Sequence, residues 1–307
     1  GAFSGSSLKE VVLPSTLRKI GNSAFSGTQL TKLTLPEGVT EIGEGAFSGS
    51  SLKEVVLPST LRKIGNSAFS GTQLTKLTLP EGVTEIGEGA FSGSSLKEVV
   101  LPSTLREIGD SAFSGTQLKD ITLPTSVTAI GRGAFGSIDS LSSVVIPKNL
   151  SNAYGAFEGS QHLKTIHFEE GITKIAGGLF KDSGISSITI PKTVTEIGEN
   201  AFRNTRITEL YIPDSVTKLE NNSFSFSDYY SNDLPPLTKV SLPSELQSTS
   251  SPFYGQKNLK EVVLRGNWKT IPSGLFSGTG IEKLSIPEGV TEIGGGAFSG
   301  SSLKEVV

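Results

Sequence analysis

The chain has 307 residues, of which 35% are hydrophobic, and it contains 36 Gly, 15 Pro and 16 Phe but neither Cys nor Met. Without cysteine it has no disulfide, thiolate nucleophile or zinc–thiolate site, and none of its apolar runs approaches the roughly 18 residues of a membrane-spanning helix. The formal net charge of −3 argues against a nucleic-acid-binding surface, which needs a basic patch.

An internal repeat organises the sequence. Residues 1–44 recur unchanged as residues 45–88, and a third copy starting at Gly89 matches through Arg106 before it drifts. Each 44-residue unit contains a shorter period of 22 residues, marked by a Phe that usually follows an Ala. The marker positions are Phe3, Phe25, Phe47, Phe69, Phe91, Phe113, Phe135, Phe157, Phe180, Phe202, Phe224, Phe253, Phe276 and Phe298. Such a period predicts stacked coils, each of which contacts only its neighbours.

The elements predicted for the first coil recur in the same order in the later coils. A strand is expected over residues 8–13, with Val11 and Leu13 pointing inward on either side of an outward position. Pro14 has no N–H to donate to a ladder and ends this strand. Gly21 is expected at a sharp turn because Gly tolerates positive φ. The Ala and Phe that follow are expected to bury a ring against the next coil.

The repeat predicts a single solenoid over residues 1–307 rather than the two globular domains that the length suggests. Residues 1–132, here named the duplicated coils, are nearly identical to one another. Residues 133–275, here named the divergent coils, vary more and carry an insertion at residues 225–236. Residues 276–307 return to the consensus.

The order L-P-x-x-V-x-x-I-G-x-x-A-F-x-G, present in residues 35–49, resembles the BspA-like (Treponema-type) leucine-rich-repeat surface protein family. The resemblance covers essentially the whole chain. It implies a right-handed leucine-rich-repeat solenoid, with parallel β-strands on one face and short strands, 3-10 turns and loops on the other. These repeats often carry Cys three residues after the Phe, where this chain has a small hydroxyl residue: Ser6, Thr28, Ser50, Thr72, Ser94 and Thr116.

The same resemblance implies a function. Relatives are secreted or bacterial cell-surface proteins associated with adhesion to host matrix proteins such as fibronectin or fibrinogen. The expected partner is therefore a host or bacterial extracellular protein, and the expected role is a non-catalytic interaction scaffold. Two alternatives stay open: a structural spacer that extends another module, and a solenoid that binds oligosaccharides through Tyr side chains.

Charge alternates in two outward columns of the duplicated coils. One column reads Glu10, Lys32, Glu54, Lys76, Glu98 and Asp120, and the other reads Lys19, Glu41, Lys63, Glu85 and Glu107. The alternation is lost at the last member of each column. Identical coils would place like charges one strand apart, whereas opposite charges stabilise a sheet by about 0.2–1 kcal/mol per pair. The alternation thus gives a reason for a two-coil unit. Its surface is interpreted either as a solubilising, locally neutral face or as a docking face for a patterned polar ligand.

The divergent coils contain the departures from consensus that a scaffold does not require. His167 and Tyr211 are the only large residues in an outward column that elsewhere holds Val, Thr or Ser. They are predicted to lie about 10 Å apart on the strand face, either as ligand-binding side chains or as substitutions without function. Glu169 and Arg265 replace the strand-ending Pro, and only a relaxed turn is expected there.

The insertion separates Phe224 from Phe253 by 29 residues instead of 22. It enters just before the strand predicted from Leu237, which neighbours the strand of Tyr211, so the insertion and Tyr211 are expected to converge. Insertions in repeat proteins map to loops on one rim, often the binding rim, and mixtures of Tyr and Ser form adaptable recognition surfaces. A tolerated surface loop is the alternative. The predicted ligand-binding set is His167, Tyr211, Phe226, Tyr229, Tyr230 and Tyr254.

Catalytic and metal chemistry find little support in the sequence. Only His162 and His167 could act as imidazole bases, and neither is aimed at a fixed nucleophile. Asp228, Asn232 and Asp233 offer hard oxygen ligands but match no calcium-loop spacing. No catalytic residue, metal or cofactor is therefore predicted. Because residues 1–12 and 296–307 are the same string, end-to-end association of copies is also expected.

Overall fold

A computed structural model describes residues 1–227, 237–248 and 251–307. The chain divides into two compact units, Gly1–Glu169 and Glu170–Val307, which are taken separately here. Each unit is a stack of parallel coils built from short β-strands, and the described residues contain no helix. The predicted parallel solenoid fold is confirmed, whereas the prediction that all coils form a single solenoid stays a prediction.

Two kinds of strand alternate in the first unit. The main strands occupy the L-x-x-L-x-L segment: Lys32–Thr34, Glu54–Val56, Lys76–Thr78, Glu98–Val100, Asp120–Thr122, Ser143–Ile146 and Thr165–Phe168. The strand predicted over residues 8–13 is not formed, and Val11 and Leu13 there are only half-buried. The second strands follow the Pro: Lys19–Ile20, Glu41–Ile42, Lys63–Ile64, Glu85–Ile86, Glu107–Ile108 and Ala129–Ile130.

The second unit has the same two kinds of strand. Its main strands are Glu209–Tyr211, Lys239–Leu242, Glu261–Leu264, Lys283–Leu284 and Glu305–Val306. Its second strands are Lys174–Ile175, Glu196–Ile197, Lys218–Leu219, Gln247–Ser248, Thr270–Ile271 and Glu292–Ile293. Single turns closed by i+3→i hydrogen bonds link the strands, as from Leu61 N–H to Pro58 O at 3.1 Å.

The Phe markers form the centre of both cores. In the first unit, rings from Phe3 to Phe157 stack on their neighbours with centroids 5.1 to 5.4 Å apart. In the second unit, Phe202 lies 5.1 Å from Phe224 in the same manner. Stacked rings contribute about 0.5–1.5 kcal/mol per pair beyond their burial. Backbone bonds accompany the stack, as from Phe47 N–H to Ala68 O at 2.8 Å.

The positive φ predicted at the position of Gly21 is not found there. Glycine at this turn is required instead by close packing between coils. A Cβ on Gly65 would lie 2.7 Å from the carbonyl carbon of Gly43 in the preceding coil, so only Gly lets the backbones approach this closely.

The predicted core position of Trp268 is confirmed, since this side chain is fully buried. Phe168, also expected in the core, is only half-buried.

The duplicated coils associate in pairs on the main-strand face. Strand Lys32–Thr34 pairs with Glu54–Val56, and Lys76–Thr78 pairs with Glu98–Val100. In the first unit, which is described throughout, no ladder joins these two pairs. The second strands instead form one continuous six-stranded sheet. The 44-residue period of the sequence thus reappears as a two-strand period on the main face.

Candidate functional site

Tyr211 lies at the end of the main strand Glu209–Tyr211, with 57% of its surface exposed. Its outward direction follows from the strand alternation, since Leu210 before it is buried in the core. In register beside it are Ser241 and then Val263 on the next two main strands. Tyr211, Ser241 and Val263 therefore form a row across three coils of the second unit.

Arg265 holds the Tyr211 ring in place from two coils away. Its guanidinium carbon lies 3.9 Å from the ring centroid, a cation–π contact. The same guanidinium donates hydrogen bonds to Ser241 Oγ at 3.0 Å, to Asp214 Oδ1 at 2.7 Å and to the Ile212 carbonyl. Only 22% of the Arg265 side chain is exposed, so the planar cation is fixed by its partners. We name Tyr211, Ser241, Val263, Arg265 and Asp214 the tyrosine–arginine patch.

The position of Arg265 follows from the loss of the strand-ending Pro. Its N–H donates to the Leu242 carbonyl at 2.9 Å, a bond that Pro could not make. The ladder between Lys239–Leu242 and Glu261–Leu264 is accordingly four residues long. The expectation of a merely relaxed turn was wrong, because Arg265 both extends the ladder and reaches back across two coils. The signal in the sequence was a long charged residue in a Pro position.

Glu169 makes a similar arrangement in the first unit. Its N–H donates to the Ile146 carbonyl at 2.9 Å, and its carboxylate accepts hydrogen bonds from Lys148 N–H at 2.9 Å and from the Thr125 hydroxyl. These bonds, led by that from Lys148, hold the pKa of Glu169 below its usual range. Where the strand-ending Pro is replaced, the chain therefore carries an acidic residue, Glu169, in the first unit and a basic residue, Arg265, in the second. Each of the two side chains joins three coils.

His167 lies on the main strand Thr165–Phe168, exposed and in register with Val145. It belongs to the first compact unit and Tyr211 belongs to the second. The predicted approach of His167 to Tyr211 therefore stays a prediction.

Phe226 and Tyr254 lie in the turn segments that follow the Phe markers and not in main strands. The N–H of Phe226 donates to the Tyr254 carbonyl at 2.8 Å. Tyr254 is 55% exposed, and its ring lies so close to Gly278 that a Cβ there would be 2.6 Å from Cδ2. Tyr229 and Tyr230 are outside the described residues, as are Asp228, Asn232 and Asp233 of the insertion. The convergence of the insertion with Tyr211 stays a prediction.

The exposed side chains of these surfaces are suited to contacting a ligand. Among the residues that the structure describes, no three His, Asp or Glu side chains are arranged to hold a metal ion. The described part of the chain also has no helix long and apolar enough to cross a bilayer. The tyrosine–arginine patch combines an exposed aromatic ring, a fixed cation and hydrogen-bonding side chains, which are groups that contribute strongly to protein interfaces.

Known proteins share this fold and its repeat. Among solved structures, a leucine-rich repeat protein from Bacteroides ovatus is 25% identical with a TM-score of 0.73, over 99% of this chain and 73% of that one. The pneumococcal vaccine antigen PcpA is 19% identical with a TM-score of 0.51, over 95% of this chain and 85% of that one, a likeness of fold. None of the curated proteins compared with the chain is significantly similar to it.

A family model connects the repeat to a named group of proteins. The model described as a BspA type leucine rich repeat region, in six copies, matches residues 1–117, 106–231 and 225–305. These matches cover almost the whole chain and bear out the resemblance drawn from residues 35–49. The chain therefore belongs to the BspA-type leucine-rich-repeat family.

Proposed function

We propose that this chain is a non-catalytic scaffold that binds another protein, with the tyrosine–arginine patch as its principal contact. The observation that carries the proposal is the exposed Tyr211 ring, held 3.9 Å from a guanidinium that two neighbouring coils fix in place. Membership of a leucine-rich-repeat family supports a scaffold that binds protein.

The tyrosine–arginine patch is preorganised for binding. A free Tyr or Arg side chain loses rotamer entropy when a partner immobilises it, at a cost of about 0.5–1.5 kcal/mol per side chain. Arg265 already makes its contacts to Tyr211, Ser241 and Asp214 in the unbound chain. A partner therefore meets a ring and a cation that are ordered in advance. Val263, 39% exposed beside them, adds apolar surface to the same patch.

The proposed partner class is host extracellular matrix, and the proposed location is the surface of a bacterium or its surroundings. Both follow from the family resemblance, and the similarity in fold to PcpA, named as a vaccine antigen, is consistent with an exposed protein. The candidate partners to test first are fibronectin and fibrinogen.

Immobilised fibronectin and fibrinogen, probed with the whole chain, test the proposal. Tyr211→Ala and Arg265→Ala are each expected to weaken binding by about tenfold or more, as for hot-spot residues. Tyr154→Ala is the matched control, because Tyr154 is 42% exposed but lies in the first unit. It is expected to bind like the native chain. Native affinity in both patch variants would contradict the proposed contact, and no binding by the native chain would contradict the matrix partners.

The alternatives predict other outcomes. If Tyr211 serves as a stacking platform for sugars, a glycan array binds the native chain but not Tyr211→Ala, while matrix proteins bind neither. If the coils are only a spacer, no variant in the divergent coils changes adhesion. The end-to-end association expected from the matching strings stays a prediction, which sedimentation over a concentration series tests.

A further inference from the structure

The basic side chains of the duplicated coils differ in whether they have a partner. Four lysines each contact a Glu on the next coil at 2.8 to 3.2 Å: Lys19, Lys32, Lys63 and Lys76. Arg18 and Arg62 donate to backbone carbonyls of their own coils. The repeat thus satisfies most of its cations within the array.

A second column of lysines is left without an ion pair. Lys9, Lys53 and Lys97 are exposed at the start of the main-strand face, and none lies within salt-bridge distance of a carboxylate in the first unit, which is described throughout. The neighbouring Glu54 and Glu98 are already bound by Lys32 and Lys76 at 2.9 and 2.8 Å. The positive charges of Lys53 and Lys97 are therefore not neutralised by these neighbours.

These lysines are regularly spaced. The N–H of Lys53 donates to the Thr31 carbonyl at 2.8 Å and that of Lys97 to the Thr75 carbonyl at 2.9 Å, so Lys and Thr alternate along one column. At about 4.8 Å per coil, successive lysines stand roughly 10 Å apart. The spacing is uniform because the 44-residue units of the duplicated region are nearly identical.

A shallow groove of about 640 Å³ runs along this column over the first four coils. Lys9, Lys32 and Lys53 line it together with the amides of Gln29 and Gln73 and the hydroxyls of Thr31 and Ser51. Its one acidic lining residue is Glu10. The lining thus offers two unpaired lysines, Lys9 and Lys53, two coils apart, and uncharged groups that donate and accept hydrogen bonds between them. Lys97 continues the same column beyond the groove.

We infer that this lysine groove binds a linear anionic polysaccharide whose charge repeats once per disaccharide. Such a polymer presents a sulfate or carboxylate at an interval comparable to two coils, and its hydroxyl groups match the Gln, Thr and Ser between the lysines. A nucleic-acid strand fits less well, since its phosphates repeat about every 3.4 Å along a duplex axis. The site lies in the first unit and is independent of the protein-binding function proposed for the second.

Equilibrium binding of the whole chain to hyaluronan, which carries one carboxylate per disaccharide, in about 50 mM sodium chloride tests the inference, with neutral dextran as the uncharged comparison. Binding is expected to weaken steeply as salt increases, because the contacts are exposed ion pairs. The variant Lys9→Gln/Lys53→Gln/Lys97→Gln is expected to lose about tenfold or more in affinity.

A charge-matched control separates the groove from net charge. Lys19→Gln/Lys63→Gln/Lys76→Gln removes the same number of cations but takes lysines that are each paired with a Glu and do not line the groove. It is expected to stay within about threefold of the native affinity. An equal loss in both triple variants, no binding by the native chain, or equal affinity for single-stranded DNA would overturn the inference. Tyr211→Ala should leave this affinity unchanged, so its outcome is distinct from that of the protein-binding test.

Discussion

Outward side chains contact the adjacent coil in the duplicated region, whereas in the divergent coils two of them also reach across two coils. In the duplicated coils the ion pairs join adjacent coils, as between Lys32 and Glu54, 22 residues apart. In the divergent coils Arg265 reaches Asp214, 51 residues away and two coils back, and Glu169 reaches Thr125, 44 residues back. In a repeating sequence, equivalent residues of successive units have the same neighbours. A long side chain in one exceptional coil can form a contact that no repeated coil makes.

Both regions depend on a core of stacked Phe rings, and the largest effect is expected in each of them. Phe69→Ala in the duplicated coils and Phe202→Ala in the divergent coils should each cost about 3–5 kcal/mol, because each opens a cavity in a stack of buried rings. Urea unfolding measures the loss. Phe3→Ala, at a ring that is already 42% exposed, is the control and should cost much less. A small loss at Phe202 alone would contradict the role of its ring stack in the divergent coils.

The next largest effect should separate the regions. Arg265→Ala is expected to destabilise the chain by about 1–2 kcal/mol, because it removes the contact with Tyr211 and the hydrogen bonds to Ser241 and Asp214. Arg18→Ala, whose guanidinium bonds only carbonyls of its own coil, should change stability by a few tenths of a kcal/mol. Equal urea midpoints for the two variants would contradict the three-coil arrangement.

Thr72 and Ser50 occupy the same position of the 22-residue repeat but differ in the hydrogen bonding of their hydroxyls. The Thr72 hydroxyl donates to the Phe69 carbonyl at 2.8 Å, whereas the buried Ser50 hydroxyl has no partner. Thr72→Ala should therefore cost about 1 kcal/mol, and Ser50→Ala should be neutral or stabilising. Thermal unfolding of the two variants measures the difference. A greater loss in Ser50→Ala would contradict this assignment.

Acid should affect the contact of Glu169 in a predictable direction. Because hydrogen bonds lower the folded pKa of Glu169 below its ordinary 4.5, this carboxylate adds stability above that pH and loses it as the pH falls through the lowered value. Glu169→Gln should consequently lose less stability than the native chain between neutral pH and about pH 3. Melting temperatures across that range test this, with Glu10→Gln as a carboxylate-removing control. Parallel pH profiles for native chain and Glu169→Gln would refute it.

The smallest effect concerns charge alternation. Lys32→Glu/Lys76→Glu replaces two ion pairs at 2.9 and 2.8 Å with like charges. These side chains are largely exposed, so the expected loss is at most about 1 kcal/mol per pair and should shrink in high salt. Differential scanning calorimetry at low and high salt measures it. An unchanged melting temperature, or the same loss at both salt concentrations, would refute the stabilising role.

The sequence predicts the regular part of the fold because each coil repeats the same physical requirements. In the repeat, the position of Phe25 marks a ring stack, that of Pro14 the end of a strand, and that of Gly21 a turn. Each position recurs in many coils, so the prediction rests on many independent copies. The tyrosine–arginine patch could be predicted only in part. Tyr211 stood out as a large outward residue and Arg265 as a charged residue in a Pro position, but their contact spans two coils of different sequence and no single repeat specifies it.

The central claim is that the divergent coils, and not the duplicated ones, carry recognition of the protein partner. The most direct test compares Tyr211→Ala with Val100→Ala in the whole chain, because the two residues occupy the same outward column at 57% and 59% exposure. Binding to fibronectin- and fibrinogen-coated surfaces is the measurement. The account predicts a loss of about tenfold or more for Tyr211→Ala and native affinity for Val100→Ala. Equal affinities for the two variants, or a loss only in Val100→Ala, would contradict it.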